Sequence, residues 1–312
     1  ETVPINEDFF PTLTHNSRVY QQFAIENYQY FEPIDEDEAD RLEVLHWVLL
    51  KVLDGRLLPS QLSRPRKILE CGVGPGYWAM EVAKTYPNCE VVAVDIAPHV
   101  LPLEEALPEN LVLQVDNVNE RFTWRRNEFD LVHSQMMVGA VNADRWQSYI
   151  RDIYRTLRPG GWCQMVEIYF NAQSDNGTLT DDHALRRWSR LYMESIQPYK
   201  DPRAPLRIAS WMREAGFVVA REPRPVPLPT CGWPRDENQR EVGVLNRDNV
   251  RRLLSSLALY PMTVLQGMDI ADFELLVAQA RSEADNPSFK VMYSFGCFSF
   301  TVAAGQTWES VD

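Results

Sequence analysis

The chain has 312 residues, of which 45% are hydrophobic, and its 44 acidic and 31 basic residues give a net charge of −13. This charge disfavours nucleic acid as a partner, and no apolar run approaches the roughly 20 residues needed to cross a membrane. The five cysteines are odd in number and form no C-x-x-C pair, and the acidic start lacks an apolar signal core, so we expect a cytoplasmic protein without a zinc cluster or disulfide framework.

The first 60 residues predict an N-terminal helical arm. Up to about residue 34 the segment is rich in aromatic residues, which favours a helical or irregular stretch packed on another part of the protein. A helix follows, with Asp35 as its N-cap and Glu38 placed to complete a capping box. Apolar residues then recur at helical spacing, at Leu42, Leu45, Val48, Leu49, Val52 and Leu53.

Strands and helices alternate in the next part of the chain. Apolar strands are predicted at residues 67–71, 90–95, 111–115, 129–134 and 162–169, with helices at 77–86 and 144–157. A strand that is apolar at nearly every position, such as 90–95, is typical of a parallel sheet buried on both faces. This alternation predicts an α/β fold with a doubly wound, Rossmann-like, mostly parallel sheet.

Beyond residue 170 the alternation breaks. Helices are predicted at 181–196, 208–215, about 247–258 and 270–284, with a strand at 217–220 and a β-rich segment at 289–303. The last two strands would bring the sheet to seven. We interpret 171–205 and 223–270 as cap insertions on a single core that spans 61–312.

A glycine-rich loop joins the first strand of this sheet to a helix, in the sequence ECGVGPG at 70–76. Glycines at positions 72, 74 and 76 let the backbone turn sharply and let a ligand approach the main chain. A dinucleotide fingerprint, G-x-G-x-x-G, that started at Gly72 would need a glycine where this chain has Tyr77. The spacing therefore disfavours a nicotinamide or flavin dinucleotide.

Acidic residues stand at the ends of the first three strands. Glu70 precedes the loop, where a carboxylate disfavours a pyrophosphate and suits a cation. Asp95 ends the second strand, where an acid accepts hydrogen bonds from ribose hydroxyls, and Asp116 ends the third, where an acid can accept from an adenine amino group. S-adenosylmethionine (SAM) carries an ammonium, a sulfonium and no phosphate, so these acids predict a SAM site. Each acid alone could equally cap a helix, but their register favours the ligand.

The predicted site includes further residues beside these acids. Its members are Glu70, Gly72, Gly74, Gly76, Asp95, Ile96, Asp116, Asn117 and Ser134, the last at the end of the fourth strand near the expected methyl group.

These motifs are similar to those of class I SAM-dependent methyltransferases, and the chain more narrowly resembles the LaeA-like methyltransferases of fungal secondary metabolism. The narrower resemblance rests on a signature at 30–35, 40–43 and His46, on LRPGGW at 157–162 and on WPRD at 233–236. It covers nearly the whole chain. Glu70 stands where this group usually has Asp.

The resemblance implies that Tyr30 and Arg41 help to hold the cofactor from the N-terminal arm. Arg41 could pair with the cofactor carboxylate. The alternative is an ion pair within the helix, from Arg41 to Asp37 or Glu38.

The predicted activity is methyl transfer from SAM to a small-molecule acceptor, with S-adenosylhomocysteine as the product. Methylation at oxygen is the leading hypothesis, and methylation at nitrogen or sulfur comes next. The protein must hold the reacting atoms in line, and a phenolic acceptor also needs a general base. His133 is the catalytic candidate, with core packing as its alternative, and Glu167 and Tyr169 are further candidates. No metal is expected.

Apolar and aromatic residues are predicted to line the acceptor pocket, although ordinary cap packing explains them equally well: Met136, Met137, Tyr169, Trp188 and Tyr192. Two other functions stay open. One is a SAM-binding regulator of secondary metabolism that acts through protein partners, and the other is an enzyme of this fold with non-methylating chemistry. The oligomeric state is also left open.

Overall fold

The computed structural model describes residues 9–102, 107–219 and 225–304. Parts of the predictions lie outside these residues. They are the opening segment of the arm at 1–8, the end of the strand at 217–220, the first two residues of the insertion at 223–270 and the end of the core at 305–312.

The described part of the N-terminal arm starts with a β-hairpin, where a helical or irregular segment was expected. Strands β1 (Thr12–His15) and β2 (Arg18–Gln21) are antiparallel. The two turn residues, Asn16 and Ser17, both have positive φ, as a two-residue type I′ turn requires. A short helix, α1 (Gln22–Glu26), follows directly. The expectation was wrong because four-residue strands carry too little alternation to be distinguished from irregular structure.

Helix α2 (Glu36–Val52) starts at the predicted N-cap. The Asp35 carboxylate accepts a hydrogen bond from the Glu38 backbone N–H at 3.1 Å. The capping box is not completed, because the Glu38 carboxylate accepts hydrogen bonds from Arg41 and Ser256 instead. Arg18 donates two hydrogen bonds of 2.7 Å to Asp35, so one carboxylate both caps the helix and fastens the hairpin to it.

The main sheet confirms the predicted α/β class. Its strands are β3 (Lys67–Cys71), β4 (Glu90–Asp95), β5 (Leu111–Val115), β6 (Phe129–Gln135), β7 (Leu157–Ser174), β8 (Val218–Val219), β9 (Val226–Pro229) and β10 (Val291–Thr301). The order is β5-β4-β3-β6-β7-β10-β8, and β9 also pairs with β10. Strands β3 to β7 pair in parallel, whereas β10 is antiparallel to β7, β8 and β9. In the described chain the sheet is therefore mostly parallel, with seven strands side by side and β9 as an additional short strand along β10.

Helices cover both faces of this sheet. They are α3 (Tyr77–Thr85), α4 (Trp146–Thr156), α5 (Ala184–Ile196), α6 (Ile208–Glu214), α7 (Glu237–Ser256) and α8 (Ile270–Asp285). One apolar core joins α3 to β3 and β4, and another joins α4 and α6 to the opposite face. A third core joins α2, α5, α7 and α8 to β7 and β10. Among the described residues, no helix is long and apolar enough to cross a membrane.

Two elements in the second half of the chain differ from the predictions. Helix α7 begins at Glu237, ten residues before the predicted start. Asp236 caps it by accepting from the Gln239 backbone N–H, but its first turns are polar and give no apolar period. Strand β7 extends to Ser174 because its second half pairs with β10.

The proline-rich stretch after residue 224 contains a strand that was predicted to be irregular. In β9, Pro227 lies opposite Ser294 and Pro229 opposite Met292. Proline lacks the N–H that an interior strand needs, so it is confined to sheet edges. The prolines therefore fit this strand because it pairs on one side only.

Replacing Asp35 by Ala tests whether the arm and α2 fold as one unit. We expect Asp35→Ala to lower the free energy of unfolding by about 2 kcal/mol, because it removes a helix cap and the two hydrogen bonds that Arg18 donates to Asp35. Asp269→Ala is the matched control, since Asp269 caps α8 through the Ala271 N–H alone, and should cost about 1 kcal/mol. Urea unfolding measures both, and equal losses would contradict the double role.

Candidate functional site

A cavity lies at the edge of the sheet where the parallel strands end. Its wall is formed by the segments that follow β3, β4, β5 and β6, by the N-terminal arm and α2, and by Phe170 and Leu257. Strand order reverses between β3 and β6, and ligands of doubly wound folds bind at this switch point. The cavity measures about 1280 Å³, part of it open to solvent at the mouth. The described residues hold no group of three or more His, Cys, Asp or Glu side chains arranged to bind a metal ion.

The glycine loop adopts a backbone that only glycine accommodates easily. Gly72, Gly74 and Gly76 have φ values of +75°, +51° and +83°. A Cβ atom on Gly72 would lie 2.4 Å from the Met137 sulfur, and one on Gly76 would lie 2.6 Å from Pro102. Gly72 and Gly74 line the cavity. Gly76 caps α3 behind the loop, so it shapes the wall without forming it.

Glu70 presents a buried carboxylate to the cavity. The side chain is 3% exposed, and its Oε2 has no hydrogen-bond partner among the described residues. Burial, and then the nearby Asp95, raise the pKa of Glu70 well above its usual value. A buried carboxylate without a partner is unfavourable, so a cation bound here would gain both an acceptor and a charge partner. The site therefore fits the ammonium group of SAM.

Asp95 and Asp116 lie next to each other on the same edge. The Asp95 carboxylate accepts from the backbone N–H groups of Gly74 at 2.9 Å and Ala97 at 3.0 Å. Burial raises the pKa of Asp95 despite these hydrogen bonds, and burial also raises that of Asp116. Both acids line the cavity, together with Ile96 and Asn117. The acids predicted at three strand ends are thus brought together.

Tyr30 and Arg41 also line the cavity, on the side formed by the arm and α2. The Tyr30 hydroxyl donates to the Glu32 carboxylate at 2.9 Å. Of the two alternatives for Arg41, the structure shows the ion pair with Glu38, and a second hydrogen bond reaches Asn249 in α7 at 3.0 Å. The guanidinium therefore already has partners within the fold.

His133 and Ser134 lie outside the cavity. The His133 ring stacks on Trp78, with centroids 3.8 Å apart and an interplanar angle of 6°, and burial lowers its pKa to about 3. The Ser134 hydroxyl accepts a hydrogen bond from Tyr149 at 2.9 Å on the other face of β6. His133 has no access to the cavity in this geometry, so we do not retain it as a general base.

The predicted acceptor residues divide into two groups. Met136 and Met137 line the cavity, while Tyr169, Trp188 and Tyr192 do not. Trp188 donates from its indole N–H to the Leu254 carbonyl at 2.8 Å and stacks on Tyr192, with centroids 5.3 Å apart. The aromatic residues of α5 are therefore packed in the cap core, as the alternative reading had it.

Glu167 shapes the turn after β6. Its buried carboxylate accepts from the backbone N–H groups of Met137 at 2.8 Å and Val138 at 3.3 Å. Burial raises the pKa of Glu167 to about 8 despite these two hydrogen bonds. Met136 in the same turn has φ +57°. Because both carboxylate oxygens hold the backbone, Glu167 is occupied as a structural acceptor.

Sequence reasoning missed several residues of the wall, among them Glu32, Asn119, Gly139, Phe170 and Leu257. Glu32 stands two residues after Tyr30 inside the N-terminal signature, so its position there was the available signal. Leu257 lies more than 200 residues from Glu32 in the chain, and no local pattern connects them.

Lys200 fastens the arm to the turn after β6. Its side chain is fully buried, and its ammonium donates to the Gln29 carbonyl at 2.7 Å, the Ala140 carbonyl at 2.9 Å and the Asn142 side chain at 2.7 Å. Gln29 and Ala140 line the cavity. One cation thus holds two sides of the wall together.

Comparison with known proteins identifies the chain's relatives. Residues 68–161 match a family described as "Methyltransferase domain". The protein named "Secondary metabolism regulator laeA" from Monascus pilosus is 32% identical over 282 residues, which are 89% of this chain and 74% of that protein. The chain belongs to the LaeA-like family. A second relative of this LaeA-like chain, "Methyltransferase pytC" from Aspergillus terreus, is 28% identical and covers 90% of this chain and 85% of that protein.

Solved structures show the same fold at low sequence identity. A phosphoethanolamine N-methyltransferase 2 from Haemonchus contortus matches with a TM-score of 0.51 and 17% identity, over 83% of this chain and 52% of that one. The [4+2]-cyclase SpnF matches with the same TM-score and 15% identity, over 83% and 82%. The family match confirms that the LaeA-like chain contains the predicted methyltransferase domain, and the solved structures show its fold.

Asp95→Ala tests the nucleoside end of the cavity. We expect SAM affinity to fall about 100-fold or more, because two hydrogen bonds to a charged acceptor each contribute roughly 1.5–3 kcal/mol. Glu90→Gln is the control, since Glu90 lies at the opposite end of β4 and should leave affinity unchanged. Calorimetric titration measures both, and native affinity in the Asp95 variant would refute this placement.

Lys200→Met tests the link between the arm and the turn after β6. We expect a loss of about 2 kcal/mol in unfolding free energy, because two buried carbonyls lose their donor, and faster dissociation of SAM. Lys51→Met, at an exposed lysine paired with Glu241, serves as the control. Urea unfolding measures the loss of stability, and stopped-flow kinetics measure the dissociation rate of SAM. An unchanged dissociation rate would show that the contacts of Lys200 do not slow the release of SAM.

Proposed function

We propose that this LaeA-like chain transfers a methyl group from SAM to a small-molecule acceptor of the secondary-metabolite type, at an oxygen atom. The observation that carries the proposal is the Glu70 Oε2 atom, which has no hydrogen-bond partner in the part of the chain that the structure describes. It lies in the same cavity as Asp95, Asp116 and an apolar wall. In this assignment SAM, a cationic nucleoside, and an apolar acceptor bind in the same cavity.

The chain's own residues divide the binding of SAM among themselves. Glu70 would accept from the ammonium group, Asp95 from the ribose hydroxyls and Asp116 from the adenine amino group, while Gly72 and Gly74 let the ligand approach the backbone. Bound SAM supplies a methyl group activated by its sulfonium. The contribution of the chain is to hold that methyl group in line with the acceptor atom and to exclude water.

The acceptor would lie against the apolar part of the wall. This part is built from the turn after β6, from α2 and from the cap, and includes Leu45, Met136, Val138, Phe170 and Leu257. Small-molecule sites are typically apolar with a few convergent polar groups, and this wall has that character. We further propose that the protein works in the cytoplasm. We also propose that it does not act on nucleic acid, because its net charge of −13 repels phosphate backbones.

The names of the relatives favour a second candidate. The Monascus pilosus relative is named a regulator of secondary metabolism, so the LaeA-like chain could bind SAM and act through a protein partner. The likeness to SpnF concerns the fold alone, so it does not favour non-methylating chemistry.

Labelled SAM separates these functions. The protein is incubated with methyl-labelled SAM and a fungal metabolite extract, and SAM binding is measured in parallel by calorimetry. We expect label in a small molecule, with Asp95→Ala as the variant that abolishes transfer. SAM binding without transfer, together with a protein that co-purifies, would favour the regulator. Absence of SAM binding would reject the assignment of the cavity.

A further inference from the structure

We propose that Glu32 is the general base of the methyl transfer and that the acceptor is a neutral, apolar hydroxyl compound rather than a carboxylate. The inference rests on the proposed function. It adds a catalytic residue and a substrate class, and four features of the structure carry it.

The first feature is the position of Glu32 along the edge of the sheet. The acids of the nucleoside end follow β5 and β4, and the glycine loop follows β3. Next along the edge come the turn after β6 and then Phe170 in β7. Five strands span about 19 Å, so an acceptor that meets the methyl group beyond the glycine loop must lie beside β6 and β7. Glu32 lines the cavity and touches Gly139 in the turn after β6, since a Cβ there would lie 2.7 Å from its Oε1.

The second feature is the way the carboxylate is held. One oxygen, Oε2, accepts from the Tyr30 hydroxyl at 2.9 Å, and the Arg41 guanidinium lies 3.8 Å from the same atom. The other oxygen, Oε1, lies against Gly139, where a Cβ atom would come within 2.7 Å of it. The carboxylate is thus oriented from one side, as a base positioned by its neighbours requires.

The third feature is the raised pKa of the Glu32 carboxyl group. Burial and then the charge of Glu38 raise the pKa of Glu32 to about 7, against the opposing effects of Arg41 and Tyr30. A general base is most effective when its pKa is near the working pH. Burial and then the charge of Glu32 raise the pKa of Tyr192 from α5, and besides burial the charge of Glu32 also contributes to the raised pKa of Glu167 from β7. Arg41 is the cation that acts on Glu32.

The fourth feature is the sign of the local charge. Three carboxylates, Glu32, Asp35 and Glu38, share two guanidinium groups, Arg18 and Arg41, so neither positive charge is free for a further anion. An anionic acceptor would meet this excess of acid in a region of low dielectric, where like charges repel strongly. A neutral hydroxyl meets no such repulsion and gives Glu32 a proton to accept.

The step balances without a further reactant. The acceptor O–H bond breaks and its proton moves to Glu32. The electron pair of the oxygen forms the new O–CH₃ bond, and the methyl–sulfur bond breaks with its electron pair on the neutral thioether product. Glu32 then returns its proton to solvent.

Other titratable groups near the cavity are less suited to this role. Glu167 uses both oxygens to hold backbone N–H groups, and the His46 ring is paired with Glu81 at 2.9 Å. Burial raises the pKa of Tyr30 well above its usual value, which makes its hydroxyl a hydrogen-bond donor to Glu32 rather than a base.

The test compares 2-naphthol with 2-naphthoic acid, two flat aromatic probes that differ in the group methylated. Transfer of label from SAM is measured between about pH 5.5 and about pH 9, a range that spans the pKa of Glu32. Calorimetry measures the affinity for SAM and the binding of each probe to the complex of the protein with S-adenosylhomocysteine. The variants are Glu32→Gln, which keeps the acceptor for Tyr30, and Glu32→Asp as the conservative change. Glu26→Gln, on the exposed face of the arm, is the matched control.

We expect the wild type to bind and methylate the naphthol and to reject the naphthoate. Its rate should rise with pH and level off above neutrality, because only ionised Glu32 accepts a proton. Glu32→Gln should keep native SAM affinity but lose about 100-fold or more in transfer, and the rise with pH should disappear. Glu32→Asp should recover part of the rate, and Glu26→Gln should behave as the wild type.

Three results would overturn the inference. They are native transfer by Glu32→Gln with its pH dependence unchanged, preferential binding or methylation of the naphthoate, and failure of the naphthol to bind the complex. Each of these outcomes is distinct from failure of the proposed function. That failure would show itself in the wild type as absence of SAM binding, or as SAM binding without transfer to any molecule of the fungal extract.

Discussion

The structure depends on a carboxylate that the fold buries without giving it a full set of partners. Glu70 is the penultimate residue of β3, at the point where strand order reverses, and its Oε2 atom has no hydrogen-bond partner among the described residues. Burying a charge without a partner is unfavourable, so the site formed by the loop and the strand ends favours binding of a cation over binding of an anion. This preference distinguishes the site from dinucleotide sites of similar topology, in which the same loop position receives a pyrophosphate.

The remaining walls of the cavity are brought to this edge by buried polar contacts rather than by the sheet. Arg18 joins the hairpin to α2, Arg41 joins α2 to α7, and Lys200 joins the arm to the turn after β6. Each of these cations donates to more than one segment, so its geometry constrains several parts of the chain together. The arm is therefore an integral wall of the site, although it lies outside the strand–helix alternation that defines the fold.

Local patterns predicted the parts of the site that the sheet positions. The glycine spacing and the strand-end acids Asp95 and Asp116 are short-range features, and the structure brings them together at one cavity. His133 shows where this reasoning fails. Both faces of β6 are buried, so alternation alone could not indicate that His133 packs on Trp78. The wall residues Phe170 and Leu257 depend on tertiary packing between distant segments, which no motif in a single sequence encodes.

The acidic residues beside the turn after β6, at the end of the cavity opposite Asp95 and Asp116, help to decide between an enzyme and a regulator. Binding SAM as a signal would require the acids of β3, β4 and β5, and it gives no reason for a second group of acids beside β6. Glu32 lies close enough to Glu38 for repulsion to raise its pKa, and two guanidinium groups, Arg18 and Arg41, are shared among the three carboxylates of Glu32, Asp35 and Glu38. An isolated structural role would be served at lower free-energy cost by a neutral amide, which makes the same hydrogen bond to Tyr30. A carboxylate at this position gains an advantage over the amide when a proton must be accepted there, and a hydroxyl acceptor supplies that proton.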